Sequence, residues 1–340
     1  MSTPKETIVQ AVAAGSERRR SRPWLLLIST YSLPMVFLLL VVIASLLSPR
    51  FLTLRNAMNL LQQSAVTGIV AVGMTLVILL AEIDLSVGSV VAFGGMVAAI
   101  LLSQGVAVPW AIAAAVAAGG FIGAINGFLV TRARVPSFIT TLAAMVAVRG
   151  FTLLLTDGKP VFGLPTEFRV LGSGFVGPVP VSGIIWLSIT LLATLVLRYT
   201  PFGRSLYAMG GNYEAARLSG IPVVRYKVLV FVLSGALAAF GGVVMASWLT
   251  VGQPTAAQGL ELTAIAAVVL GGTSLFGGTG GTLHTLFGVA VMAVLTNVFN
   301  LVGLSSYYQS MAMGAIIVLA VILNSFLARL RLGAAKGGGA

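Results

Sequence analysis

Two carboxylates, Glu82 and Asp84, stand in the segment Ala81-Glu82-Ile83-Asp84-Leu85-Ser86-Val87-Gly88-Ser89, with long apolar runs on either side and almost no loop between them. An ionisable side chain near a membrane interior is expensive, and it ordinarily faces a cavity or a partner. Asp84 and Ser86 are also good N-caps for a following helix. A helix beginning there aims free N–H groups and the positive end of its dipole inward. Two readings stay open: Glu82, Asp84, Ser86 and Ser89 line a polar path, or Asp84 only caps a helix and Glu82 only sits at the inner interface.

A second segment is Leu270-Gly271-Gly272-Thr273-Ser274-Leu275-Phe276-Gly277-Gly278-Thr279-Gly280-Gly281. A regular helix cannot carry so many glycines cheaply. It is not a nucleotide loop, because GxxxxGK[ST] occurs nowhere in the chain. Its backbone groups need water or protein around them. The expectation is a turn whose Gly271, Gly272, Thr273 and Ser274 line or gate a path, or else a re-entrant turn that only lets helices pack. Asn126, Asn297 and Asn300 are weaker lining candidates, and each serves equally well as a helix–helix hydrogen bond.

The third segment runs from Gly210-Gly211-Asn212-Tyr213-Glu214 to Gly220-Ile221-Pro222. Asn212 caps a short helix, Glu214 suits its first turn, and Gly220 with Pro222 ends it. Such a helix between membrane spans either acts as a lever in another protein's groove or merely joins two spans.

The elements that hold these segments follow from composition. Of the 340 residues, 58% are hydrophobic and 8% charged. A soluble domain carries roughly 25% charged residues, so lipid must cover this chain. The expected fold is all-α, a polytopic bundle of about ten spans: 24–47, 59–80, 86–103, 107–130, 137–155, 184–198, 227–250, 259–273, 282–302 and 307–327. Residues 1–23 form an N-terminal tail, 24–328 a single membrane domain with a long inner loop at 199–226, and 329–340 a C-terminal tail. With both termini inside, fifteen of the 20 Lys and Arg lie on the inner side. Arg50, Arg55, Lys159 and Arg169 fall outside, and Arg149 falls within a span. That bias is the one expected of cytoplasmic loops, and it explains the net charge of +12 without nucleic acid. The chain has no Cys and one His, so thiol chemistry, disulfides and His-based metal clusters are excluded, and no cofactor is implied.

At these residues the chain resembles the permease subunits of bacterial ABC importers for monosaccharides, the ribose permease type. The match is carried by Ala71–Ile78 running into Ile83–Ser89, by Gly210–Asn212 through Leu218–Ile221, by Ala264–Ser274, and by Ser305–Gln309. Within the second stretch, Glu214-Ala215-Ala216 with Gly220 is similar to the EAA-x-x-x-G pattern of ABC permeases. The resemblance implies a coupling helix made by Asn212, Glu214, Ala215, Ala216, Leu218 and Gly220. It also implies a second permease subunit, identical or related, a cytoplasmic ATPase, and an extracytoplasmic sugar-binding protein, all at a bacterial inner membrane. One departure stands out: Ala81 and Glu82 occupy positions where that type commonly has small residues, often Gly.

The expected function is therefore movement of a pentose or hexose inward without covalent chemistry. Two other readings remain at this stage. One is a related importer for a hydroxylated signal such as a furanosyl autoinducer. The other is an ion-coupled secondary transporter using Glu82 and Asp84.

Overall fold

The computed structural model describes residue 35, residues 37–305, and residues 307–309, 311, 312, 314, 315 and 318. The expected tails, most of the last span and the start of the first lie outside the described residues.

The described chain is helical almost throughout. Helix α1 covers Phe37–Leu47. It is followed by α2 (Leu54–Leu79), α3 (Val87–Ser103), α4 (Val108–Thr131) and α5 (Ser137–Leu154). A compact excursion comes next: a 3-10 turn, Thr166–Arg169, the short α6 (Val170–Ser173), and a two-stranded antiparallel hairpin, β1 (Phe175–Val176) with β2 (Val179–Pro180). Helix α7 (Val181–Tyr199) leads to α8 (Pro201–Gly211) and α9 (Tyr213–Leu218). Then come α10 (Val223–Leu249), α11 (Leu260–Leu270) and α12 (Thr282–Leu301).

Six of these, α2, α4, α5, α7, α10 and α12, are long and apolar enough to cross a membrane; α1, α3 and α11 are shorter apolar helices. The expectation of ten spans is thus met in part. The main difference is at 259–273, where α11 has only 11 residues. That is about 16 Å of helix, half a bilayer core of roughly 30 Å. The cause is local: Ala257 and Gly259 take left-handed backbone conformations (φ 58° and 77°), which break the helical path before α11.

The core is built on α2 and α10. The middle and C-terminal half of α2 is buried from Ser64 to Leu79 with the exception of Thr67, so its apolar run is protein-facing rather than lipid-facing. Helix α10 packs against α4 through Gly119, Gly123 and Gly127, spaced four apart. A side chain at Gly123 would collide with the Phe231 carbonyl, and one at Gly127 would stand 2.8 Å from the Val228 Cα. Without a hydrophobic drive between helices in lipid, such close backbone approach supplies the packing attraction. The opposite surfaces of α4, α5 and α7 carry exposed Phe121, Val146, Leu154, Leu191 and Leu192, as a lipid-facing surface would. The excursion between α5 and α7 is pinned to the bundle. Gln62 donates to the Gly172 carbonyl (2.8 Å), and the Gly172 N–H donates to the Ser247 hydroxyl (2.8 Å).

Candidate functional site

The three segments singled out from sequence come together around the C-terminal end of α2. The α2 helix ends at Leu79, whose carbonyl accepts from the N–H of Gly278 (3.0 Å) in the glycine-rich turn. Gly210, in α8, packs directly on the same carbonyl and on Gly278; any side chain there would overlap both. Tyr207, one turn earlier on α8, donates its hydroxyl to the Gly280 carbonyl (2.9 Å). Burial pushes the Tyr207 phenol up from its ordinary value, so it stays a donor. The turn closes on itself through Ser274 N–H to Thr279 O (3.1 Å) and through Gly281 N–H to the Thr273 hydroxyl (3.3 Å). Gly271 abuts the His284 carbonyl and Thr285, and Gly272 takes a φ of 87°.

The two neighbouring carboxylates are treated differently. Asp84 is buried, and Ser86 and Ser234 satisfy it. Its Oδ1 accepts from the Ser86 N–H (3.0 Å) and hydroxyl (2.6 Å); its Oδ2 accepts from the Ser234 hydroxyl on α10 (2.9 Å). Asn126, on α4, donates to the Ser86 hydroxyl (3.0 Å). The expected N-cap is modified here: Asp84 closes a turn just before α3, and Ser86, at the cap position, makes no side-chain cap because its hydroxyl points back to Asp84. Ser89 donates to the Met145 carbonyl (2.8 Å), so this segment ties α3, α4, α5 and α10 together.

Glu82 turns the other way. It forms an ion pair with Lys227 at the start of α10, and the Lys227 ammonium lies 5.0 Å from the ring centre of Tyr213 on α9. Glu82, Lys227 and Tyr213 line a cavity of about 660 Å³ together with Arg134, Glu214 and Arg217. Glu82 therefore stands beside the short α9 helix.

That helix has the cap read from sequence: the Asn212 side chain accepts from the Ala215 N–H (3.0 Å). Ala216 is buried and anchors it, while Leu218 is 82% exposed. Glu214 and Arg217 form a 2.8 Å surface ion pair. Gly220 takes a φ of 83° and ends the turn. The arrangement presents an exposed charged and apolar surface next to the Glu82–Lys227 pair.

The remaining candidates are dispersed. Asn297 exchanges two hydrogen bonds with Asn56 (3.0 and 2.9 Å), joining α12 to α2. Asn300 accepts from Gln309 (2.7 Å). Sequence reasoning did not single out Lys227, Tyr213 or Ser234, nor the cluster of Arg149 and Glu261. A charge inside an apolar span was the available signal for Arg149 and Glu261; nothing in the sequence marks one serine of α10.

Comparison with known proteins places this geometry in a family. Residues 56–321 match the model described as branched-chain amino acid transport system / permease component. The chain is 46% identical over 292 residues to the ribose import permease protein RbsC of Escherichia coli K12, covering 85% of this chain and 91% of that protein. It is 45% identical over 288 residues to the ribose import permease protein RbsC of Bacillus subtilis 168, covering 84% and 89%. It is 41% identical over 317 residues to the L-arabinose ABC transporter permease protein AraH of Azospirillum brasilense, covering 92% of each. No solved structure matches it. Nearly full-length relatives with one kind of name, and the apolar helices described above, lead to one conclusion: the chain belongs to this family of permease components and is a multi-pass inner-membrane transport subunit of the ABC importer class, not an enzyme.

Proposed function

We propose that this chain is the membrane subunit through which an ABC importer moves a monosaccharide, a pentose or hexose, into the bacterial cytoplasm. The observation that carries the reading is the near full-length similarity to permeases named for ribose and for L-arabinose. Ten spans with both termini cytoplasmic complete the proposal, since that topology puts α8, α9 and the glycine-rich turn on the ATP side. The partners are a cytoplasmic ATPase, a second permease subunit and an extracytoplasmic sugar-binding protein.

The mechanism follows from the linkages at the inner face. The ATPase grips α9 by Leu218, Glu214 and Arg217. Closure of the ATPase dimer displaces α9, and Tyr213 carries the movement to Lys227. The Glu82–Lys227 ion pair then pulls on the connection between α2 and α3, two residues from the Asp84 node that binds α3 to α10. In parallel, α8 drags the glycine-rich turn through Gly210 and Tyr207. Two connections thus reach the spans from one lever, and their joint movement switches access to the path. Asp84, Ser86, Ser89 and Gly271–Ser274 act as a gate by holding helix ends, rather than by offering open ligands.

Reversing the charge at Glu214 tests the assignment. With a tagged chain solubilised gently from its own host, the wild type is expected to bring down an ATPase in stoichiometric amount. Glu214→Lys is expected to lose at least 90% of it while eluting as a folded species. Unchanged co-purification would remove α9 from the coupling role; absence of any ATPase from the wild type would remove the importer reading.

A further inference from the structure

The non-helical arm before α11 has a position that its sequence does not announce. At Gly252 it pairs with Val161 of the excursion between α5 and α7 through two 2.9 Å backbone hydrogen bonds, beside Ala99 of α3. By Ala257 it has reached Gly88, in the first turn of α3. Eleven residues of α3 separate these two points, about 16 Å. The arm thus descends alongside α3, and α11 continues inward for only another 16 Å or so. One span is therefore half non-helical and half helix, and the N-terminus of its helical part lies deep in the bundle. Interrupted spans of this kind are tolerated where the freed backbone is enclosed by protein or lines water, and in transporters they border the substrate.

Two charged residues mark the break. Arg149, from α5, donates to the carbonyls of Pro254 (3.0 Å), Ala256 (2.8 Å) and Gly88 (3.3 Å), so it clamps the arm to α3. Glu261, in the first turn of α11, attracts Arg149 without a direct ion pair. Its Oε2 rests over Gly88, where any side chain would overlap it. Among the described residues the Glu261 carboxylate accepts no hydrogen bond, and the residue is partly exposed. A carboxylate at this depth is costly unless it meets water or a polar solute. Its charge is held by Arg149 and the helix dipole while its lone pairs stay available.

We infer that Glu261 is a hydroxyl-accepting subsite for the sugar partway across the membrane, and that Arg149 positions it by fixing the arm. The inference rests on the monosaccharide reading given above. Carboxylates accept hydroxyl protons strongly and in pairs, which suits a vicinal diol. The neighbouring Arg149 has three N–H contacts on carbonyls, so the site does not become a cation trap. A neutral polyol fits; an inorganic cation would meet the guanidinium.

The test is uptake of labelled D-ribose, L-arabinose and 2-deoxy-D-ribose by cells lacking their own pentose importers and expressing this chain with its ATPase and binding protein. If the wild type takes up none of the three, the pentose reading fails first, and the subsite with it. Otherwise Glu261→Gln is expected to lower uptake per folded molecule at least tenfold for the best sugar. The order of preference should change, because the deoxy sugar loses less, while ATP hydrolysis and ATPase co-purification stay within twofold. Glu261→Asp, which keeps the charge and withdraws it by one methylene, is expected to fold and to change the order as well. An equal loss for all three sugars in both variants, an unaltered order, or loss of folded protein in both would overturn the subsite and leave Glu261 as a structural partner of Arg149. Arg149→Lys supplies the contrast: it should slow all three sugars alike.

Discussion

Glu82 and Asp84 have one residue between them and opposite surroundings. Asp84 is sealed, 1% exposed, with hydroxyls and an amide from α10 and its own turn on both oxygens. Glu82 lines an open cavity, paired with a lysine that leans on an aromatic ring. The two side chains leave the short connection in different directions: Ala81, just before it, takes a left-handed conformation (φ 59°), Glu82 reaches Lys227, and Asp84 turns back onto Ser86 and Ser234. Burial determines what each can do. A sealed carboxylate whose lone pairs are spent on the chain itself fixes where helices meet and has little left for a solute. A paired carboxylate at a cavity edge is held by one mobile partner and can transmit movement. Two acids in a membrane segment thus need not form one site.

The sharpest way to break this comparison is to remove the sealed carboxylate. Asp84→Ala leaves the hydroxyls of Ser86 and Ser234 without their acceptor inside the bundle, at about 1–3 kcal/mol for each stranded group. The expected outcome is a fall in monodisperse protein after solubilisation of tenfold or more. Asp84→Asn keeps one acceptor oxygen and should recover most of it. Size-exclusion profiles of a fluorescent fusion measure both. A well-folded Asp84→Ala protein that only fails to transport would make Asp84 a path residue after all.

The paired carboxylate should behave in the opposite way. Glu82→Gln and Lys227→Gln are each expected to leave yield unchanged and to uncouple the machine, raising ATP hydrolysed per sugar imported by roughly three- to tenfold. The exchange Glu82→Lys with Lys227→Glu is expected to restore part of the coupling, since the pair is re-formed with reversed polarity. The double-mutant comparison separates the pair from the single effects. Equal ATP-to-sugar ratios in all four proteins would disconnect Glu82 from α9.

How much of this was legible beforehand varies with the physical cause. Composition alone gave a membrane helical chain, because no soluble surface can coat 58% hydrophobic residues. Asn212 and Gly220 announced α9, since capping and left-handed stops are local chemistry. The glycine run from Gly271 announced a turn, but not that Gly278 would dock on Leu79 at the end of α2, because that contact joins residues almost two hundred apart. The half-span before α11 stayed hidden because the segment 250–259 carries two Gln, two Gly and a Pro and therefore reads as a connection between spans; only its pairing with Val161 and its approach to Gly88 lay it alongside α3. Ser234 was beyond reach because nothing in the sequence sets it apart from Ser247 on the same helix.

The smallest effect is expected at Asn126, and it decides what kind of residue the sealed node recruits. Its amide donates to the Ser86 hydroxyl at 3.0 Å, and Asn126 is itself buried. Interhelical hydrogen bonds in membranes average only about 0.6 kcal/mol, because the separated helices also find partners. Asn126→Ala should therefore lower the melting temperature of the solubilised protein by no more than a few degrees, and uptake per folded molecule should stay within twofold. Asn126→Asp, which sets a second acid on the Ser86 hydroxyl near Asp84, should cost more than the alanine variant. If alanine instead removed transport at an unchanged melting temperature, the polar cluster around Asp84 would have to open during the cycle and meet the solute. The contrast between the sealed and the exposed carboxylate would then describe only one state of the molecule.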